Sequence, residues 1–291
     1  MPPIVRQDEN KKMQHILITG GNAGIGKATA TALAKKGNTI ILACRNEQKA
    51  QEAIADIKSA SQNEGIYYVP CDLASFESIK NCTTAYRQQF GRIDILINNA
   101  GLITDKLQFT EDGFELQIGV NHLGHFLLTN NLIDLLEKAT EPRIINVSSG
   151  AHNGAKMNFN TFKGELGAEK YKGMAAYGQS KLANILFTKE LARRYPAICS
   201  HSLHPGVVST DIAKKNENKK VWGFIWKVFS PFMLNTAKGA KTSIYLATSP
   251  EVLKVNGLYF DKQKEKEPSS LAKDATLAKQ LWTISETLIS T

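Results

Sequence analysis

At 291 residues and 42% hydrophobic composition, the chain is long enough for one sizeable core, and no low-complexity linker or internal repeat divides it. Its formal net charge of +9 suits a phosphate-bearing ligand, but the lysines are scattered over polar helix faces without a nucleic-acid-binding motif, so a nucleic-acid partner is set aside. The four cysteines, Cys44, Cys71, Cys82 and Cys199, have no CxxC or metal-ligand spacing; they read as free thiols of a reducing compartment, with the cytoplasm as the expected location and no metal expected.

Residues 1–13 are polar and charged without an apolar signal-like run, and read as a flexible tail ahead of one domain spanning 14–291. Next comes HILITG, a short apolar strand, followed directly by GNAGIGKATATALAKKG, which opens a helix, and then by a second strand at TIILAC. The turn TGGNAGIGK spaces Gly20, Gly24 and Gly26, and with Asn22 and Ile25 it is the expected cradle for a dinucleotide pyrophosphate. Such a turn needs residues that accept positive φ and a backbone that phosphate can approach without a Cβ in the way, and the helix N-terminus adds free N–H groups.

The second strand runs out into Cys44, Arg45 and Asn46 with no acid to accept the ribose hydroxyls. Arg45 offers a fork of donors suited to a 2′-phosphate, which favours NADP(H) over NAD(H); alternatively it simply begins the next helix. Ala23 stands where a second basic residue often accompanies that preference, and Lys27 lies just past the motif.

Further strands are expected at Ile66–Pro70, Asp94–Ile97, Arg143–Val147, Ile198–Leu203 and Gly257–Phe260, after those at His15–Thr19 and Thr39–Ala43. Between them apolar residues recur at helical spacing, as in FESIKNCTTAYRQQF. The alternation predicts an α/β fold: a single Rossmann-type, doubly wound, mostly parallel sheet with helices on both faces and ligands at the carboxyl ends of the strands. In MAAYGQSKLANILFTKEL, Tyr177 and Lys181 stand four residues apart on one helix face. An ammonium ~4 Å from the phenol, at an effective dielectric of ~20, is expected to lower the tyrosine pKa by up to ~3 units.

TGxxxGxG, INNAG at Asn99, Ala100 and Gly101, Asn121, the Ser148–Ser149 pair, YxxxK and HPGVVST occur in an order that resembles the short-chain dehydrogenase/reductase family from about Gln14 onward. LACRN, VNHLGHF, INVSSGAH and LHPGVVST are similar to phrases of its retinol dehydrogenase-like branch. The resemblance implies a catalytic set of Asn121, Ser149, Tyr177 and Lys181: Ser149 polarises the substrate carbonyl, Tyr177 moves the proton, Lys181 binds the nicotinamide ribose, and Asn121 serves a water relay through its backbone. It implies that Asp72 and the Leu73 amide read the adenine, although Asp72 also suits a helix cap. Asn99, Ala100 and Gly101 then lie against the ribose, and Pro205, Gly206, Val208 and Thr210 clamp the nicotinamide.

The stretch from Ser149 to Tyr177 is longer than in compact family members, and 152–173 reads as an insertion forming one wall of the substrate site. Residues 211–235, with KVWGFIWKVFSPFML, suit a lid over an apolar substrate, a peripheral membrane contact, or a core or homo-oligomer contact helix. The resulting expectation is an NADP(H)-dependent oxidoreductase interconverting an apolar alcohol and its aldehyde or ketone. A dinucleotide-binding redox sensor and a carbon–carbon double-bond reductase are the alternatives.

Overall fold

The computed structural model describes residues 13–206 and 236–290. The expected tail, apart from Met13, and the expected lid at 211–235 lie outside them, as do Val208 and Thr210. The alternation of elements runs β1 (His15–Thr19), α1 (Gly24–Ala34), β2 (Thr39–Cys44), α2 (Glu47–Ser61), β3 (Ile66–Pro70), α3 (Phe76–Phe90) and β4 (Ile95–Asn98). A helical stretch follows, made of α4 (Leu116–Ile118), a π turn (Gly119–Leu123), α5 (Gly124–Asn130) and α6 (Ile133–Leu136). Then come β5 (Arg143–Val147), α7 (Gly173–Arg194), β6 (Cys199–His204), a helix at Thr236–Thr248, β7 (Tyr259–Asp261), β8 (Lys264–Glu265) and a helix at Ala275–Ile289.

The sheet order is β3-β2-β1-β4-β5-β6-β7-β8, parallel throughout except for the antiparallel β7–β8 pair. This is the doubly wound Rossmann arrangement, and helices cover both faces because the strands are apolar on both. In β1, Leu17 packs on one face with α3, α5, α7 and Trp282, while Ile16 and Ile18 pack on the other with α1, α2 and Leu246. All three are fully buried, each worth roughly 1.5–3 kcal/mol relative to exposure, so the central strand is fixed in register beneath the glycine turn.

Strand order reverses between β1 and β4, and that switch point brings the turns after these two strands face to face. Three strand starts depart from the sequence reading, and β2, β4, β6 and β7 each run one residue further than expected. Asp94 lies before β4, its carboxylate accepting from the His15 amide at 2.8 Å, and Ile198 lies before β6, its amide bonded to the Tyr195 carbonyl. Gly257 sits at φ +72°, which no strand residue adopts, and β7 begins two residues later. The β7–β8 hairpin turns through Lys262 and Gln263 at φ of 51° and 64°. Neither is a glycine or asparagine, so the sequence carried no hairpin signal there.

Candidate active site

The glycine turn is built as its spacing requires. Gly20 and Gly24 have φ of +63° and +56°, and a Cβ on Gly26 would lie 2.4 Å from the Gly20 carbonyl oxygen and 2.5 Å from Asn99 Nδ2. The N-cap of α1 is Ala23, which has no side-chain group to accept from the first-turn amides, and no acid stands in that turn. These features fit the pyrophosphate of a dinucleotide. Thr19, at the end of β1, holds the facing turn: its Oγ1 accepts from the Asn99 and Ala100 amides, both at 2.9 Å.

At the far end of the cleft, Arg45 stands beside Asp72, Nη1 to Oδ2 at 3.7 Å, with 70% of the arginine side chain exposed. Asp72 does not cap α3. Ser75 does, accepting from the Ser78 amide, while Asp72 Oδ1 accepts from the Ala74 amide at 2.9 Å within the turn that carries Leu73. Asn46 caps α2 through its side chain, which accepts from the Lys49 amide. Lys27 is paired with Asp56 on the surface.

The other end gathers side chains from four elements. Gly101 lies so close to both Lys181 and Asn121 that a Cβ on it would be 3.1 Å from Lys181 Nζ and 3.2 Å from Asn121 Oδ1. Asn121 sits in the π turn that interrupts the helical stretch after β4. Its Oδ1 accepts from the Leu102 amide at 2.9 Å, and its Nδ2 donates to the Leu102 carbonyl and to Ser180 Oγ. Ser180 in turn donates to the Tyr177 carbonyl at 2.8 Å, so Asn121 and the start of α7 are joined through one hydroxyl.

Tyr177 and Lys181 share a face of α7, and Lys181 Nζ lies 5.7 Å from the tyrosine ring centroid. Lys181 is 3% exposed and donates to the Val147 carbonyl at 3.0 Å; burial pushes its pKa down to about 8. Tyr177 is half-buried, and its pKa is raised by desolvation, with a hydrogen bond to Ser149 pulling the other way. This reverses the direction expected from the Tyr–Lys spacing. Residue spacing reports proximity but not desolvation, and here the ammonium faces the ring and is hydrogen-bonded to β5. At neutral pH the phenol is protonated and so can donate.

The two serines differ in their surroundings. Ser148 is buried with its hydroxyl donating to the Lys181 carbonyl at 2.7 Å, whereas Ser149 is half-buried, its Oγ accepting from the Ala151 amide at 3.2 Å. Two residues to which the sequence reading gave no role brace the segment around Ser149. His152 Nδ1 donates to the Ser149 carbonyl at 2.7 Å while its Nε2 accepts from the Ser269 amide, and His204 Nδ1 accepts from the Gly150 amide at 3.1 Å. Pro205 and Gly206, the latter at φ +84°, continue from β6 at the same strand ends.

The sequence model of the short chain dehydrogenase family matches residues 14–221. Retinol dehydrogenase 13 of Mus musculus is 42% identical over 279 residues, covering 94% of this chain and 83% of its own length. Retinol dehydrogenase 14 of Homo sapiens is 40% identical over 290 residues, covering 94% and 85%. Among solved structures, an uncharacterized protein from Mycobacterium Paratuberculosis superposes with a TM-score of 0.76 at 31% identity over 96% of this chain and 94% of that one. A 3-ketoacyl-(acyl-carrier-protein) reductase from Brucella melitensis, complexed with NADH, shares the fold at TM-score 0.66 and 24% identity, over 85% and 96% of the two chains. The chain belongs to the short chain dehydrogenase family, in its retinol dehydrogenase-like branch, and is an oxidoreductase of alcohol and carbonyl groups.

Proposed function

We propose that this protein is an NADP(H)-dependent oxidoreductase that interconverts an apolar alcohol and its aldehyde or ketone. The observation that carries the reading is the convergence of Ser149, Tyr177, Lys181 and Asn121 on the strand ends beside Gly101. Gly20, Asn22, Gly24, Ile25 and Gly26 would hold the pyrophosphate. Asp72 and Leu73 would hold the adenine, Asn99 to Gly101 and Lys181 the ribose of the nicotinamide half, and Pro205 and Gly206 the nicotinamide, together with Val208 and Thr210. When bound, the cofactor supplies or accepts the hydride.

In reduction, Ser149 donates a hydrogen bond to the carbonyl oxygen and holds it beside Tyr177. The Tyr177 phenol, kept protonated by its surroundings, gives that oxygen its proton as negative charge develops there. Lys181, largely protonated at pH 7 with a pKa of about 8, stabilises the phenolate left behind. Oxidation runs the same groups in reverse. The alternative uses of the scaffold, a sensor without turnover or a double-bond reductase, have no observation of their own in their favour.

Two features favour NADP(H): Arg45 with its exposed guanidinium, and the absence of an acid at the end of β2. An apolar substrate is favoured by Met174, 56% exposed and three residues before Tyr177 on α7, and by Phe109, exposed and packed against Gly164 of the 152–173 insertion. The retinol in the relatives' names is a substrate of this class. Nicotinamide absorbance, followed with NADPH and NADH against a panel of apolar aldehydes and ketones including retinal, tests the reading. Turnover with NADPH supports it; dinucleotide binding without turnover of any carbonyl overturns it.

A further inference from the structure

His125 lies between the cofactor turn and the reactive end, and the directions of its hydrogen bonds follow from chemistry alone. The Asn121 carbonyl can only accept, so His125 Nδ1, 3.1 Å away, carries a proton and donates it. In the neutral ring Nε2 is then an acceptor, and Thr19 Oγ1, 2.8 Å away, donates to it. The single Thr19 proton is thereby committed, which leaves the oxygen lone pairs free for the Asn99 and Ala100 amides. His125 is 1% exposed, and burial together with the nearby Lys181 charge holds its pKa down to about 4, so the arrangement persists at neutral pH.

A buried histidine on a helix is ordinarily a packed side chain with satisfied nitrogens. His125 differs in what satisfies it: one nitrogen meets the carbonyl of a residue in the π turn, where the helical ladder is widened, and the other meets the hydroxyl that organises the β4 turn. We propose that His125 is a positioning residue that couples the two halves of the cleft, fixing the Asn121 carbonyl through Nδ1 and the Asn99–Ala100 backbone through Nε2 and Thr19. The proposal rests on the oxidoreductase reading, because it takes the Asn121 backbone as the water relay that the family resemblance implies and Asn99–Ala100 as cofactor contacts. Without an acceptor at Nε2, the Thr19 hydroxyl turns toward its remaining acceptor, the Ile97 carbonyl at 3.5 Å, and its hold on the two amides shifts.

The two nitrogens can be removed separately. An asparagine amide falls near the position of Nδ1 and a glutamine amide near that of Nε2, so His125→Asn keeps the Asn121 contact and His125→Gln keeps the Thr19 contact. Dissociation constants for NADPH come from fluorescence titration, and kcat is measured at saturating NADPH with a carbonyl from the panel. A buried hydrogen bond that loses one partner corresponds to about a 10-fold effect, so His125→Asn should weaken NADPH about 10-fold with kcat nearly kept. His125→Gln should show the opposite split, and His125→Leu should lose both. The proposal is overturned if His125→Asn and His125→Gln depress both readouts in the same proportion, or if a folded His125→Leu keeps both. Should the leucine variant fail to fold, the two amide variants decide. If the wild type turns over no carbonyl, the oxidoreductase reading fails while the NADPH split still tests the Nε2 contact.

Discussion

Arg45 and Lys181 place a positive charge at opposite ends of one cleft, in opposite surroundings. Arg45 is mostly exposed, with Asp72 at 3.7 Å, so water and salt screen whatever it contacts. Lys181 is almost fully buried, and its pKa falls to about 8 because its charge has lost water, with the Val147 carbonyl and the Tyr177 ring beside it. An exposed cation can tune which ligand is preferred at little structural cost. A buried cation changes the chemistry of its neighbours and destabilises the fold that holds it.

The comparison breaks most sharply at Tyr177, the group beside the buried charge. On the proposed chemistry, Tyr177→Phe should lower kcat by ~10²-fold or more while NADPH affinity changes only modestly. Retention of more than about a tenth of wild-type turnover would rule out proton donation by this phenol.

Lys181→Met should remove most turnover and yet raise stability. The lysine's pKa of about 8 lies below its ordinary 10.5, so the folded state disfavours the charged form. That penalty is fully present below about pH 8 and fades as pH rises toward 10.5, where the unfolded chain also loses the proton. At pH 7 the relief should be on the order of 1–3 kcal/mol, read by denaturant unfolding at pH 7 and again at pH 10. A gain that does not shrink at the higher pH would mean that packing, not charge, produced it.

At the exposed end, NADPH should bind roughly 10- to 100-fold more tightly than NADH, and Arg45→Ala should remove most of that difference by weakening NADPH alone. The preference should also narrow as ionic strength rises. Equal wild-type affinities in a fluorescence titration would make NAD(H) the better assignment. The smallest effect belongs to Lys27→Ala: because Lys27 is paired with Asp56, the NADPH-to-NADH ratio should stay within about 2-fold, as expected for an exposed pair. A larger drop would show that the pair opens to let Lys27 reach the phosphate.

What the sequence made legible was whatever depends on backbone rules. The glycine turn needs positive φ at Gly20 and Gly24 and close approach at Gly26, and only glycine at those spacings provides it. The parallel sheet followed from apolar strands separated by amphipathic helices. The β7–β8 hairpin was invisible because Lys262 and Gln263 take left-handed φ without the residues that usually mark such a turn. The rise in the Tyr177 pKa was invisible too, since the spacing of Tyr177 and Lys181 says nothing about how dry the site is. His125 and His152 carry no role that their positions in the sequence announce, because it comes from their partners: each keeps one neutral tautomer because a carbonyl faces Nδ1 and a donor faces Nε2.

The bonds that join the cleft are also long in sequence. Thr19 reaches Asn99 across 80 residues, Asn121 reaches Ser180 across 59, and His152 reaches Ser269 across 117. Closing such loops costs entropy before any contact rewards it, so they belong to the late stages of folding. A chain still being synthesised can form the first strand, the glycine turn and the helix after it, but the hydroxyl that ends β1 has no amides to hold until β4 has been made. Ser149 and Tyr177 are both made well before Ser269, so the bond from His152 that braces this serine has to wait for chain synthesised about a hundred residues later.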